Sequence, residues 1–185
     1  MAYESMHTPK TIPTVEATIE HFKRLHDHEC NQKYNKTLPY SFHLDMVAKQ
    51  ANYFKYLLTE EDYRMAIKGA YGHDSIEDAR VTYNDIKDKF GTELADIIYA
   101  CTEEKGKERP ERLSEKFYEE LSKNRIATFV KLCDVIANVK FALLSNSSMY
   151  KKYQDEYDKV ARFLYRDDFK DMFTYLAALL TVQFK

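Results

Sequence analysis

Glycine and proline are scarce in this chain, with four of each in 185 residues. A many-turned β architecture relies on both at its chain reversals, so that class is disfavoured. No apolar run approaches the roughly 18 residues that a membrane-spanning helix needs. The first residues also lack the apolar core of a secretory signal, so neither membrane insertion nor export is expected. Cysteine is limited to Cys30, Cys101 and Cys133. The number is odd and no two form a CxxC pair, which speaks against a disulfide framework. Cys101 and Cys133 fall in apolar stretches, where buried inert thiols are expected, and a reducing cytoplasm fits best. Nor is there a large excess of charge. A formal net charge of -2 excludes wholesale nucleic-acid binding and leaves open a local basic pocket for phosphates.

What is present is ordinary for one globular domain: 44% hydrophobic and 31% charged residues, enough for a substantial core. Residues 1–13 read as a flexible lead-in and 14–185 as the domain. Thr14 is a fitting N-cap, followed by Val15, Ile19, Phe22 and His26 on one helical stripe. Residues 30–39 read as a loop ending in Pro39. A helix follows with His43, Val47, Gln50, Phe54 and Leu57 along one side, then another from Glu60 to about Gly72. Thr82 and Asp85 suggest a capping box, with Gly91 as the closing residue. Thr92 is expected to cap a helix to about Glu104, and Pro110 to start one running through Leu121. Arg125 to Leu144 reads as a long buried helix, and two more follow at about 150–165 and 168–183. No segment alternates, so the class is all-α, a single bundle of about eight to ten helices.

The chemistry is concentrated in His73-Asp74-Ser75-Ile76-Glu77-Asp78. Two adjacent metal-ligating side chains are followed within one turn by two more carboxylates. His73 and Asp74 cannot share a face in mid-helix, but both can aim at one ion where a helix ends, and Gly72 marks such an end. Glu77 and Asp78 are then placed for a bound water rather than the ion; an exposed acidic turn is the competing explanation. Upstream, His43 follows Pro39-Tyr40 and precedes an apolar helix. Downstream, Asp134 sits among Phe129, Val130, Leu132, Cys133, Val135 and Ile136. A carboxylate in a helix apolar nearly all round must meet something positive. A lysine or arginine would satisfy it, and so would a metal. His, His-Asp and Asp together suit a divalent ion with mixed nitrogen and oxygen donors, such as manganese, iron or zinc. Removing Asp134 is expected to abolish metal binding and to relieve buried charge in the metal-free form. Asn138, at i+4, shares the face of Asp134. His26 reads as structural, and His21 and His28 as peripheral.

These residues resemble the hydrolase domain of the RelA/SpoT proteins, part of the HD phosphohydrolase superfamily. The matching pieces are Pro39-Tyr40-x-x-His43, His73-Asp74-x-x-Glu77-Asp78, Thr82 through Phe90-Gly91, Cys101-Thr102-Glu103, and Lys131-Leu132-x-Asp134-x-x-x-Asn138. They run in one order from about His28 to Leu144. The resemblance implies an HD-domain bundle and removal of the 3′-pyrophosphate from guanosine 3′,5′-bis-pyrophosphate by a manganese-dependent hydrolase. It implies that His43, His73, Asp74 and Asp134 hold the ion, that Glu77 and Asp78 orient and deprotonate water, and that Tyr40 and Asn138 contact the nucleotide. Family members often carry an Arg-Lys pair before the Pro-Tyr motif. Here the stretch is Gln32-Lys33-Tyr34-Asn35-Lys36, so Lys33 and Lys36 are expected to neutralise phosphate. Lys140 stands where an arginine is common. The chain is too short for the synthetase domain of the bifunctional members, which implies a small stand-alone alarmone hydrolase. Two rivals stay open: a phosphatase acting on another phosphorylated nucleotide, and a sensor that binds alarmone without cleaving it.

Overall fold

The structure, a computed structural model, describes residues 11–182. Most of the expected lead-in therefore lies outside the described residues. Helix α1 (Val15–Arg24) begins where Thr14 accepts a hydrogen bond from the Ala17 amide at 3.2 Å, and a π-helical turn at Leu25–Glu29 continues it. The 30–39 stretch is more ordered than a loop. It forms a short antiparallel hairpin, β1 (Lys33–Tyr34) against β2 (Leu38–Pro39), with Tyr34 opposite Leu38. The reversal places Asn35 and Lys36 at φ 47° and 70°, a left-handed backbone that asparagine tolerates better than most residues.

Helix α2 (Ser41–Tyr53) buries His43, Leu44, Val47, Gln50 and Ala51, as its stripe predicts. Helix α3 (Glu60–Gly72) follows a Thr59 cap, and a single turn, α4 (Ser75–Asp78), comes directly after it. Helix α5 (Tyr83–Phe90) has the expected capping box between Thr82 and Asp85, and Gly91 adopts φ 94° beyond it. Helix α6 (Thr92–Cys101) is capped by Gly91 rather than Thr92 and ends three residues short of Glu104. The helix expected from Pro110 is split. Residues Arg109–Arg112 make one turn, α7, and Ser114 then caps a separate helix, α8 (Glu115–Ser122), by accepting from the Phe117 amide. Helices α9 (Arg125–Leu144), α10 (Met149–Leu164) and α11 (Lys170–Leu180) complete the bundle. The fold is all-α apart from the two-residue strands, and among the described residues no helix is long and apolar enough to cross a membrane.

Helix α9 is the axis. It packs against α2, α3, α6, α8, α10 and α11, and Phe129, Val130, Leu132, Cys133, Ile136 and Val139 are fully buried along it. Helix α3 lies between α9 and α1, and two glycines let it approach its neighbours closely. A Cβ on Gly69 would stand 2.9 Å from Ile97 and 3.1 Å from Val130; one on Gly72 would overlap Ile98 Cδ1 and reach Phe22 at 2.9 Å. Gly72 immediately precedes His73, so this contact also fixes where the His73–Asp74 pair begins. Gly72→Ala is therefore expected to lower stability by about 1–3 kcal/mol, the usual range for overpacking, in urea unfolding. An unchanged midpoint would show that Ile98 and Phe22 move aside freely.

Candidate metal centre and its cleft

Three elements deliver four donor side chains to one point. His43 comes from the first turn of α2, His73 and Asp74 from the junction of α3 and α4, and Asp134 from the middle of α9. The junction works as the sequence suggests. Helix α3 stops at Gly72, Ser75 Oγ donates to the Gly72 carbonyl at 2.6 Å, and Asp74 is left at φ -94°, ψ 0°. Adjacent side chains can then converge. His73 Nε2 lies 3.0 Å from Asp74 Oδ2, and His43 Nε2 lies 3.4 Å from the same oxygen. Asp134 Oδ1 stands 3.3 Å from His43 Nε2 and 3.7 Å from His73 Nε2, and the two imidazole nitrogens are 3.3 Å apart.

These spacings fit a metal. Donors about 2.1 Å from a shared ion sit roughly 3 Å apart when adjacent in an octahedron. His73 Nδ1 lies 3.0 Å from the Ala70 carbonyl. Donation from that nitrogen leaves Nε2 free as a lone-pair donor, the arrangement that orients metal-binding imidazoles. His43, His73 and Asp134 are each buried. His21 and His26 place no nitrogen in the group: His21 meets Lys89 on the surface, while His26 stacks on Tyr40 with its Nδ1 2.6 Å from Gln32.

Asp134 has two kinds of partner at once. Oδ1 faces the imidazoles and accepts from Asn138 Nδ2 at 2.5 Å, while Oδ2 lies 3.3 Å from Lys131 Nζ. The alternatives of a lysine or a metal site are thus both built into one carboxylate. Burial opposes ionisation of Asp134, yet Lys131 and the two histidines hold it well below the ordinary carboxylate range. Burial likewise opposes charge on His43 and His73, and Asp74 and Asp134 outweigh it, raising both imidazoles.

The second carboxylate pair lies on the wall of the cleft. Asp78 accepts from Gln32 Nε2 at 2.8 Å and from Tyr40 Oη at 3.1 Å. Tyr40 Oη also donates to Asp74 at 2.6 Å. Glu77 accepts from the Glu103 amide. Although Glu77 keeps an exposed face, burial of its carboxyl in the cleft pushes it up to about 7, against the pull of Lys131. Tyr34 caps the cluster: its ring stacks on His43 at 4.9 Å and 11°, and its hydroxyl donates to Asn138 at 2.8 Å.

The cleft that opens over these groups has a volume of about 650 Å³. Tyr40 and Asn138 line it, as expected, although their polar atoms are engaged with Asp74, Asp78, Asp134 and Tyr34. The expected phosphate-binding lysines are elsewhere. Lys33 and Lys36 are exposed on the hairpin and do not line the cleft. Lys140 turns to Tyr175 on α11, with Nζ 3.2 Å from its hydroxyl. The reason is helical geometry, since six residues beyond Asp134 is about 120° around the axis. The cations that do line the cleft are Lys105, Arg109, Arg112 and Lys131. Of these, Lys131 carried a legible signal, three residues before Asp134. The arginines had none, because their partners Glu103 and Glu156 are 9 and 47 residues away.

No protein-family model matches this chain, and no curated protein matches it in sequence. Its fold does match a solved structure, that of a metazoan ortholog of SpoT that hydrolyzes ppGpp and plays a role in starvation responses. The TM-score is 0.70 at 19% identity, over 91% of this chain and 96% of that one. At that identity the likeness is one of fold. The chain is a helical bundle with the fold of that protein, and His43, His73 and Asp134 form a buried group suited to a metal.

Two outcomes follow for the metal-free protein. Protons now held by the raised histidines must leave before Nε2 can ligate, so divalent-ion affinity should keep rising with pH above the ordinary imidazole range, with proton release on binding. Calorimetry in buffers of differing ionisation enthalpy measures this, and binding without proton release would count against the ligand set. Asp134→Ala should retain no stoichiometric ion by elemental analysis. The structure reverses the expectation that this variant relieves strain, because it strands buried Lys131 with Glu103 at 3.6 Å. A loss of about 3 kcal/mol is expected.

Proposed function

We propose that this chain is a metal-dependent phosphohydrolase that removes the 3′-pyrophosphate from guanosine 3′,5′-bis-pyrophosphate. The observation that carries the reading is the convergence of His43, His73, Asp74 and Asp134 at the floor of a cleft walled by Glu77 and Asp78. Mixed imidazole and carboxylate donors suit manganese, iron or zinc, and manganese is the ion we assign to the reaction. The fold likeness to a protein that hydrolyzes ppGpp supports the alarmone as substrate. Three free cysteines, none paired, accord with the cytoplasm as its place of action.

A bound divalent ion would polarise a phosphate oxygen and acidify a water at this point. The chain's own groups do the rest. Glu77, with its carboxyl near 7, exchanges a proton readily at neutral pH, which suits a general base. Asp78 is fixed by Gln32 and Tyr40 and orients the attacking water. Asn138 holds Asp134 from the next turn of α9, and Tyr34 shields the cluster from bulk solvent on the His43 side.

One observation favours a second reading, a phosphatase of less charged nucleotides. Seven carboxylates line the cleft against four cations, a poor match for a ligand with several negative charges. The manganese-loaded protein, incubated with a nucleotide panel and resolved by anion exchange, separates the two. Pyrophosphate release from the tetraphosphate supports the first reading; cleavage of nucleoside monophosphates alone supports the second. Tight binding without cleavage would make the chain a sensor.

The roles of the acidic pair can be tested on the same reaction. Glu77→Gln and Asp78→Asn should keep the metal and lose about 10²–10⁴ in turnover. A base acts when deprotonated, so kcat/KM should rise with pH towards a plateau above about 7, and Glu77→Gln should abolish that rise. Losses smaller than roughly tenfold in both variants would remove the pair from the mechanism.

A further inference from the structure

Four cations face the cleft, and their existing partners divide them. Lys131 is committed to Asp134 and Glu103, and Lys105 is exposed at the mouth. Arg109 and Arg112 remain. Arg109 is gripped by both oxygens of Glu156, Nε to Oε1 at 2.6 Å and a terminal nitrogen to Oε2 at 3.0 Å. Its guanidinium also lies over Tyr153, 5.4 Å from the ring centroid. Arg112 donates from Nε to Glu103 at 3.0 Å. Both arginines are thus aimed along the cleft wall and engaged with carboxylates.

We propose that Arg109 and Arg112 form a subsite for the substrate's second phosphoryl group, and that Glu156 sets which anions enter it. The proposal rests on the phosphohydrolase reading of the cleft. A guanidinium offers a planar fork that matches a carboxylate or a phosphate, but one face of it serves one bidentate partner at a time. An anion that takes the Nε edge of Arg109, where Glu156 now sits, must therefore displace that carboxylate. A singly charged group gains nothing by the exchange, since it replaces one monoanion with another. A multiply charged phosphate gains extra attraction from both arginines. Glu156 thereby selects polyanionic phosphates over carboxylates and singly charged esters, in a cleft that otherwise repels anions. Tyr153 keeps the Arg109 guanidinium in place while its partner changes.

The test is calorimetric titration of the 185-residue chain, as purified with any ion it retains, with inorganic pyrophosphate. Arg109→Gln should bind roughly tenfold or more weakly than the unaltered chain, the usual effect of losing a charge-assisted contact. Arg112→Gln should also weaken binding. Glu156→Gln should bind several-fold more tightly, because the competing charge is gone. If Glu156 only props Arg109 in place, Glu156→Gln will bind more weakly, and the proposal is overturned. Equal affinity in all forms, including no binding in any, overturns it as well. Should Arg109→Gln unfold, Arg109→Lys keeps the charge without the fork and is expected to show the same weakening. Pyrophosphate binding needs no turnover. A chain that follows this pattern yet cleaves no nucleotide refutes the hydrolase and keeps the subsite.

Discussion

A carboxylate at the centre of a buried helix must be met by positive charge, and in this protein the surroundings of Asp134 are organised around that requirement. Isolated ionised carboxylates cost several kcal/mol to bury. Asp134 is 6% exposed on the helix that six others pack against. Lys131 supplies one cation from the preceding turn, and His43 and His73 bring two titratable rings from α2 and the end of α3. Bundle packing and assembly of the cluster are therefore linked, because α2 and α3, which seal the core against α9, also bring His43 and His73 to Asp134.

Behind the cluster lies a hydrogen-bond chain that the metal ligands alone do not explain. His26 pairs with Gln32, Gln32 with Asp78, Asp78 with Tyr40, and Tyr40 with Asp74. His26 also stacks on Tyr40 at 4.8 Å. One hydroxyl proton between two carboxylates ties Asp74 to Asp78, so neither can shift alone. The hairpin gains its purpose here. Its left-handed turn at Asn35 and Lys36 leaves Gln32 and Tyr34 facing the site from one side, while Lys33 and Lys36 point to solvent.

The elements legible in the sequence were those with a local physical cause. Thr14 and the Thr82–Asp85 box mark helix starts by side-chain acceptors for free amides, and the structure uses them. The nearly continuous apolar run of residues 125–144 matches the span of α9. Where local signals compete, the expectation failed. Pro110 does open a helical turn, but Ser114 is a strong cap and restarts the helix four residues later. The hairpin has too few residues to alternate. At the site, the motif order brought together all four candidate metal ligands, because each lies on an element whose face was predictable. The cationic half of the cleft was illegible, since Arg109 and Arg112 owe their positions to carboxylates distant in sequence.

Glu103 shows why those two halves act together. Its amide donates to Glu77, its carboxylate accepts from Arg112, and Lys131 stands 3.6 Å away. One residue at the end of α6 thus touches the candidate base, the arginine wall and the lysine that neutralises Asp134. The cleft carries three more carboxylates than cations, and a divalent ion at the histidines offsets two of these. What remains repels anions weakly in a region where Coulomb forces are stronger than in water. A phosphate that draws Arg112 from Glu103 leaves that carboxylate to Lys131 alone. It also changes the field at Glu77, whose proton is already finely balanced. Charge on the arginine wall and the proton balance of the candidate base are therefore linked through Glu103.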